Sequence, residues 1–245
     1  MNLKNKTFLI TGATSGIGLE LCAQILKHQG DIIGVGRNLN ELQKLLINYP
    51  ENNSKLIKCD LEDQSQIETL TSNCPAVDGI VHSAGFVVNM PFSFFSFDKF
   101  KTLRQVNQDS IIQILYSLIK QKKIKNDSSI VFISSISASF AMKANSPYAM
   151  TKASLNILSK TLSAEFSKKR IRFNTVSPGM VETQITKDAS ENLGKDRIDN
   201  DRKKYPLGYG EPEDVAKPII FLLSDYSKWI TGIDLFIDGG RTSTI

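Results

Sequence analysis

The segment KTFLITGATSGIGLELCAQIL (6–26) decides the fold of this 245-residue chain. It begins with KTFLIT (6–11), which has the apolar composition of a short buried strand. The glycine-rich turn GATSGIG (12–18) follows, and LELCAQIL (19–26) has the composition of a helix. Glycines between a strand and a helix let the backbone approach a pyrophosphate group, which then lies at the positive end of the helix dipole. A tight strand-to-helix turn without a ligand is the alternative.

The rest of the chain repeats this alternation of short apolar strands and longer helical segments. Strands are predicted near 6–11, 31–36, 54–59, 77–82, 128–134, 171–176 and 233–237, and helices near 16–28, 39–48, 63–72, 97–122, 148–168 and 212–224. The alternation predicts right-handed crossovers and a parallel sheet with helices on both faces. We therefore predict an α/β fold in which residues 1–245 form a single doubly wound domain around a parallel seven-stranded sheet.

A second informative segment is SPYAMTK (146–152). Pro147 is well placed to begin a helix, and on that helix Tyr148 and Lys152 share one face because they stand four residues apart. A cation about 4 Å from a phenol, at an effective dielectric near 20, is worth roughly 4 kcal/mol, or about three pKa units. We therefore expect Lys152 to lower the pKa of Tyr148 and make it a usable acid. Ser135 ends the apolar run IVFISS (130–135), thirteen residues earlier.

These motifs belong to an ordered set that covers essentially the whole chain. Its members are Thr11-Gly12, Gly16, Gly18, Asp60-Leu61, Ser83-Ala84-Gly85, Asn107, Ser135, Tyr148, Lys152, PGMVET (178–183) and IDLFIDGG (233–240). In this order and spacing, the set resembles that of the short-chain dehydrogenase/reductase family, especially its 3-oxoacyl-carrier-protein reductase-like branch.

The resemblance implies hydride transfer between NADP(H) and a carbonyl or secondary alcohol substrate. It implies that Tyr148 exchanges the proton, that Ser135 polarises the substrate oxygen, and that Lys152 holds the nicotinamide ribose. Asn107 resembles the residue that holds a water linking the lysine to solvent. Residues expected at the cofactor are Gly12, Thr14, Ser15, Gly16, Ile17, Gly18, Arg37, Asp60, Leu61, Ser83, Ala84, Gly85, Tyr148, Lys152, Pro178, Gly179 and Thr183.

Cofactor choice is expected at the end of the second strand, in IIGVGRN (32–38). An NAD-preferring site usually places an acid there for the adenosine ribose hydroxyls. This chain has Gly36 and then Arg37, whose guanidinium suits a 2′-phosphate. Thr14 and Ser15 could add hydroxyl contacts. We therefore expect NADP(H), with a merely solvated arginine as the alternative.

The adenosine side departs from the family pattern at His82 and Ser83, which stand where asparagines are usual before Ala84. His82 ends an apolar strand, so we favour a structural role over that of a catalytic base. By resemblance, Asp60 is expected to contact the adenine, and Thr183 the nicotinamide amide.

The substrate is not determined by these motifs. FVVNMPFSFFSF (86–97) is unusually aromatic, and it either lines an apolar cleft or packs under the next helix or at a subunit contact. The polar stretch 184–210 is expected to be a mobile substrate lid, with RKK (202–204) available for an anionic ligand. Alternatives to a thioester reductase are enzymes acting on sugars, polyols or secondary metabolites, or a non-catalytic NADPH-binding regulator.

Composition is that of an ordinary globular protein, with 41% hydrophobic and 22% charged residues. The net charge of +5 raises the question of nucleic-acid binding, but KQKKIK (120–125) and KKR (168–170) fall at predicted helix C-termini, where cations offset the helix dipole. We therefore expect no nucleic-acid partner. No apolar run is long enough to span a membrane, and the sequence starts almost directly with a strand, so a cytoplasmic location is expected.

The three cysteines, Cys22, Cys59 and Cys74, form no C-x-x-C pair, and we expect neither a metal nor a disulfide.

The predicted helices 97–122 and 148–168 carry more apolar residues than one buried face needs. Family resemblance places these helices at a two-fold contact. A second contact through the last helix and strand would give a homotetramer, and the first contact alone a homodimer.

Overall fold

The computed structural model describes residues 1–183 and 195–243, and a parallel sheet lies at its centre. The seven strands are β1 (Thr7–Thr11), β2 (Asp31–Gly36), β3 (Lys55–Lys58), β4 (Val77–His82), β5 (Ile124–Ile133), β6 (Arg172–Pro178) and β7 (Asp234–Ile237). They lie in the order β3-β2-β1-β4-β5-β6-β7, and every neighbouring pair is parallel. The predicted α/β class and seven-stranded sheet are confirmed.

The helices that connect the strands fall where the sequence predicts most of them. They are α1 (Gly16–Lys27), α2 (Asn40–Ile47), α3 (Gln64–Asn73), α4 (Phe97–Arg104), α5 (Ser110–Lys120), α6 (Ser146–Glu165), α7 (Lys195–Arg202) and α8 (Pro212–Leu223). Pro147 lies in the first turn of α6, and α8 also begins with a proline, because proline there loses no intrahelical hydrogen bond.

Two apolar cores cover the two faces of the sheet. On one face α1 and α8 pack together through residues such as Ile25 and Ile219. On the other face α3, α5 and α6 bury residues such as Leu70, Ile114 and Leu155. Each such side chain contributes about 1.5–3 kcal/mol by leaving water, so covering both faces explains why the strands are apolar on both sides.

The strand order turns back at β1 and β4, which lie side by side although two strands separate them in sequence. Chain connections leave the carboxyl ends of these strands in opposite directions, and the crevice between them is where open α/β sheets bind ligands. The glycine turn 12–18, the segment 83–85, Ser135 and the segment 179–183 each follow the carboxyl end of a strand, so the fold brings these motifs to one edge of the sheet.

The predicted helix 97–122 is observed as a helical run over 97–120, but its hydrogen bonding changes in the middle. It is α4, a π-helical turn at Gln105–Asp109, and α5. Inside that turn, the side chain of Asn107 is tied to the backbone of Phe86 by two hydrogen bonds. A π turn inside a helix often marks a functional position, and periodicity alone does not reveal it.

Other boundaries differ in detail. Strand β5 starts four residues before the predicted 128, and its pairing with β4 is irregular between Val77 and Gly79. Within the expected lid, residues 184–194 lie outside the described residues, while α7 (Lys195–Arg202) occupies part of a stretch predicted to be irregular. Among the described helices, none has the length and apolar character needed to cross a membrane.

Candidate active site

Lys152 is a buried cation on α6, with only 4% of its surface exposed. Its Nζ donates a hydrogen bond of 2.8 Å to the carbonyl of Ile133 at the end of β5, and its own carbonyl accepts from the hydroxyl of Ser134. A Cβ at Gly85 would lie 3.2 Å from this Nζ, so the glycine leaves room for the ammonium. Burial disfavours the charge and lowers the pKa of Lys152 to about 8.

Tyr148 lies one turn before Lys152, and the Nζ is 5.6 Å from the centre of its ring. The predicted proximity is therefore observed, but the predicted lowering of the Tyr148 pKa is wrong for this structure. Burial raises that pKa to about 12 and outweighs the opposing hydrogen bond from Ser135. Tyr148 is consequently a neutral phenol at cellular pH, which holds a proton that it can donate.

Asn107 is fully buried and rigidly held. Its Nδ2 donates to the Phe86 carbonyl at 3.0 Å and also lies 3.2 Å from the hydroxyl of Thr151, which it contacts as a second partner. Its Oδ1 accepts from the Phe86 amide at 3.0 Å. Asn107 therefore links the segment after β4 to helix α6, one residue before Lys152. Thr151 was not singled out in the sequence, although its position next to the lysine was a usable signal.

His82 ends β4 and is completely buried. Its Nδ1 lies 2.8 Å from the hydroxyl of Thr11, and its Nε2 lies 3.1 Å from the carbonyl of Asn107. Burial, assisted by the charge of Lys152, lowers the pKa of His82 to about 3, so the ring is neutral. A neutral ring has one N–H, and the Asn107 carbonyl can only accept, so Nε2 donates and Nδ1 accepts from Thr11. These bonds support a structural role for His82.

Ser135 lies at the start of a single 3-10 turn, Ile136–Ala138, where its Oγ accepts from the amide of Ser137 at 3.1 Å. The hydroxyl oxygens of Ser135 and Ser137 are 3.2 Å apart, and Asn145 Nδ2 donates to the Ser137 hydroxyl at 2.9 Å. Neither Ser137 nor Asn145 was singled out in the sequence. Ser137 lies two residues after Ser135, and Asn145 lies three residues before Tyr148. This spacing was the signal available in the sequence.

The glycine-rich turn has no room for side chains at two of its glycines. Gly12 adopts a φ of +66°, and a Cβ there would lie 2.6 Å from the amide nitrogen of Ala84. A Cβ at Gly18 would lie 2.1 Å from the Gly12 carbonyl oxygen. Ser15 precedes α1 without capping it through its side chain. The first amides of α1, from Gly16 onward, therefore suit an anion such as a pyrophosphate.

At the end of β2, Gly36 lies under the side chain of Thr14. A Cβ at Gly36 would come within 2.4 Å of Thr14 Cγ2, so a larger residue would require Thr14 to move. Arg37 follows and is exposed to solvent. Beyond β3, an oxygen of Asp60 accepts from the amide of Glu62, and Leu61 is buried.

The segments after β4 and β6 reach the same crevice. The amide of Ala84 donates a long hydrogen bond of 3.4 Å to the side-chain hydroxyl of Thr11, and the Ser83 hydroxyl would lie 3.1 Å from a Cβ at Gly18. After β6, Pro178 and Gly179 lead to Thr183, whose methyl group would lie 3.2 Å from a Cβ at Gly16. The structure thus brings Gly12, Gly18, Ser83 and Ala84 together, with Gly16 beside Thr183 and Gly85 beside Lys152. Arg37, Asp60 and Leu61 follow β2 and β3, further along the sheet edge.

The described half of the expected lid packs against the segment after β6. The ring of Tyr205 lies against Gly179, and its hydroxyl bonds to the backbone of Met180. Arg202 forms an ion pair with Glu182 and stacks 4.6 Å above the ring of Tyr209. Within the basic triplet 202–204, Arg202 is therefore engaged within the chain, and Lys204 forms an ion pair of 3.0 Å with Asp201.

The aromatic stretch 86–97 is largely a surface cluster. Phe92, Phe94 and Phe97 each expose more than 70% of their surface, while Phe95 contacts Phe92, Phe97 and Phe100. The rings pack among themselves at the start of α4 and not underneath it, so the lining of a cleft and a subunit contact are the two interpretations that fit this arrangement.

The three cysteines are buried free thiols, and burial raises the pKa of each. Within residues 1–183 and 195–243, no three His, Cys, Asp or Glu side chains group closely enough to hold a metal ion.

Comparison with known proteins identifies relatives along nearly the whole chain. The family model described as enoyl-(acyl carrier protein) reductase matches residues 12–242. A chloroplastic tropinone reductase homologue of Arabidopsis thaliana is 30% identical, over 98% of this chain and 77% of its own length. The 3-oxoacyl-[acyl-carrier-protein] reductase FabG of Chlamydia trachomatis is 31% identical, over 97% of this chain and 98% of its own.

A solved structure gives the same answer for the fold. A short chain dehydrogenase family protein from Francisella tularensis superimposes with a TM-score of 0.86 at 27% identity, covering 97% of this chain and 99% of its own. The match of the family model, the full-length relatives and the shared fold agree with the ordered motifs. The chain belongs to the short-chain dehydrogenase/reductase family of oxidoreductases.

Proposed function

We propose that this protein is an NADP(H)-dependent oxidoreductase that reduces a carbonyl to a secondary alcohol, with a 3-oxoacyl thioester as the favoured substrate class. One observation carries the proposal. The carboxyl ends of β4 and β5 and the start of α6 place a neutral phenol, a buried ammonium and two further hydrogen-bonding side chains beside a glycine turn shaped for a dinucleotide. Structural ion pairs do not require such an arrangement, whereas proton transfer next to a bound cofactor does.

Each side chain has a distinct role in this proposal. Tyr148 donates its proton to the substrate oxygen, and its raised pKa keeps the phenol protonated at neutral pH, the form that reduction requires. Ser135 donates a hydrogen bond to the same oxygen. Lys152 holds the ribose next to the nicotinamide, and Asn107 fixes the backbone around the ammonium through Phe86 and Thr151.

The cofactor proposal rests on the glycine turn and on the end of β2. When bound, NADP(H) supplies the hydride that no side chain can provide. The residues of this chain that would hold it are the glycine turn at 12–18, the segment 83–85 and Thr183. Arg37 would pair with the 2′-phosphate, and Asp60-Leu61 would contact the adenine. Gly36, covered by Thr14, leaves no acid to repel that phosphate.

The substrate class is supported by the full-length similarity to a reductase of acyl-carrier-protein thioesters. A second candidate is a ketone of secondary metabolism, which the similarity to a tropinone reductase homologue favours. Sugars and polyols are further alternatives. A non-catalytic NADPH-binding regulator is the alternative from another class, but it would not need a buried lysine and a protonated tyrosine side by side.

The decisive test is a panel of acyl thioesters, ketones and aldehydes incubated with NADPH or NADH, with loss of cofactor absorbance as the readout. We expect turnover with NADPH and at least one 3-oxoacyl thioester. Turnover with bicyclic or cyclic ketones alone would favour the second candidate. NADPH binding with no turnover of any carbonyl would support the regulator, and a preference for NADH would contradict the cofactor proposal.

We further propose that two copies pair through α5 and α6. Most apolar residues of α5, including Ile111 and Ile114, are buried within one subunit, and in α6 Leu155 is buried while Leu158 and Leu162 are half-buried, so only part of the predicted excess remains. The exposed remainder is Ile112, Tyr116, Met150 and Ile157. A second contact through α8 and β7, next to the 96% exposed Trp229, would complete a homotetramer in the cytoplasm.

Light scattering at micromolar concentration tests this assembly. We expect a mass two or four times that of the 27.2 kDa chain. The variant Ile157→Lys places a charge on the exposed patch and should shift the mass towards the monomer. A monomeric wild-type protein would refute both contacts.

A further inference from the structure

Ser137 and Asn145 form a hydrogen-bonded chain that ends at the hydroxyl of Ser135. Asn145 Nδ2 lies 2.9 Å from Ser137 Oγ, and Ser137 Oγ lies 3.2 Å from Ser135 Oγ. Asn145 exposes 6% of its surface and Ser137 exposes 5%, so water does not compete for these contacts. The chain thus connects the start of α6 to the serine that hydrogen-bonds Tyr148.

Asn145 makes this contact and does not cap its helix with its side chain. It occupies the N-cap of α6, where an asparagine side chain normally accepts a hydrogen bond from the first turn of its own helix. Here it makes no such bond, and its Oδ1 is buried without a partner. A buried unpaired oxygen costs stability, so the position of this side chain is not explained by capping. The Asn145 amide instead donates its hydrogen bond to Ser137 Oγ, at 2.9 Å.

Each of the two hydroxyls can donate to the other across the 3.2 Å contact, and a count of protons shows which direction leaves Ser135 free to donate elsewhere. Each hydroxyl has one proton to donate and two sites that accept. Ser137 Oγ accepts from Asn145, and Ser135 Oγ accepts from the Ser137 amide at 3.1 Å. If Ser137 donates its proton to Ser135, both acceptor sites of Ser135 are filled. The only proton of Ser135 is then free to point at Tyr148 or at a substrate oxygen.

We propose that Ser137 and Asn145 are positioning residues that fix the Ser135 hydroxyl as a donor towards the substrate oxygen. They act through Ser135 and need not touch the substrate. The inference deepens the proposed function and rests on it. Hydrogen bonds in such a chain polarise one another, so the donated bond from Ser135 is also strengthened.

Kinetics with a responsive carbonyl provide the first test. Ser137→Ala should lower kcat five- to thirtyfold, with the Kd for NADPH changed less than twofold. Ser137→Thr keeps the hydroxyl and should retain at least half of kcat. Asn145→Asp turns the donor into an acceptor that draws the Ser137 proton away from Ser135, so it should lose more activity than Asn145→Ala. Ser139→Ala, an exposed serine just after the same turn, is the matched control and should be unaffected.

A double-mutant comparison separates positioning from general damage. In a Ser135→Ala background, adding Ser137→Ala should cost less than twofold more, because its target is gone. A full additional loss in that background, or an unchanged kcat in Ser137→Ala alone, would overturn the proposal. If the Ser135 variant itself is as active as the wild type, the proposed function of Ser135 fails instead.

A crystal structure of Ser137→Ala gives a readout that does not depend on turnover. The proposal expects the Ser135 side chain, held in one rotamer in the wild-type protein, to occupy at least two in the variant. A Ser135 side chain that keeps one unchanged rotamer would refute positioning by Ser137, even if no substrate has been found.

Discussion

The two ends of the proposed cofactor site are built in opposite ways. At the nicotinamide end, Lys152 and Asn107 are buried, and His82, expected on the adenosine side, is buried against the carbonyl of Asn107. Each makes hydrogen bonds of about 3 Å to fixed partners. At the adenosine end, Arg37 is exposed, and no residue in the described part of the chain holds it in the way that Ile133 holds Lys152. One end is organised before any ligand arrives, and the other would be ordered by the ligand.

The difference follows from the task of each end. A proton donor must stand at a fixed distance from the reacting oxygen, and burial both fixes the groups and strengthens their interactions. Discrimination between two cofactors needs only a charge that can reach one phosphate, and a flexible exposed guanidinium is sufficient. We therefore expect substitutions at the buried end to affect rate and stability, and substitutions at the exposed end to affect cofactor preference.

The largest effect is expected at Tyr148. Tyr148→Phe keeps the ring but removes the proton donor, so kcat should fall at least about a hundredfold, or about 2.7 kcal/mol. The Kd for NADPH should change little, because the ring packing is retained. Steady-state kinetics and cofactor titration measure the two quantities, and retained turnover would remove Tyr148 from its role.

His82 should make the buried end sensitive to acid. Its pKa is about 3 in the folded protein, against about 6.5 when unfolded. Below pH 6.5 the imidazole of His82 is protonated in the unfolded chain but stays neutral in the folded protein. The free energy of unfolding therefore decreases as pH falls towards 3. By pH 5 the loss should be about 2 kcal/mol in the free energy of unfolding.

The variant His82→Gln stays neutral and should lack this loss, which urea unfolding at pH 7.5 and pH 5 measures. His28→Gln, at the other histidine of the chain, is the matched control and should keep the loss. Equal acid sensitivity in the wild type and His82→Gln would show that His82 is not held neutral.

A smaller effect is expected at the exposed end. Arg37→Ala should weaken NADPH binding more than about tenfold, or about 1.4 kcal/mol, and leave NADH binding nearly unchanged. Titration of both cofactors at 50 and 500 mM salt sharpens the result, because an exposed pair is screened by salt. The wild-type preference for NADPH should shrink in high salt. An equal loss of both cofactors would assign Arg37 a structural role.

The sequence predicted the sheet and most helices because the strands are apolar on both faces and are separated by regular helical segments. It did not predict the π turn around Asn107. That turn depends on hydrogen bonds to Phe86, twenty-one residues away, and no local pattern records such a contact. Similarly, α7 (Lys195–Arg202) is too polar to show an apolar face.

Within the site, spacing alone placed Tyr148 and Lys152 on one face of α6. Spacing could not show that burial raises the pKa of Tyr148, because burial depends on the packing of distant segments. The hydrogen bonds that connect Asn145 to Ser135 were not predicted for a related reason. Asparagine before a helix predicts a cap, and only the structure reveals that this side chain bonds elsewhere.

The most direct measurement of the central claim uses NADPH in which both hydrogens at C4 of the nicotinamide are deuterium. With a carbonyl substrate from the panel, the account predicts that the deuterium appears on the carbinol carbon of the product, at a rate that Tyr148→Phe reduces at least about a hundredfold. Mass spectrometry of the product gives the answer. Product without deuterium, or transfer that is equally fast in Tyr148→Phe, would contradict the account.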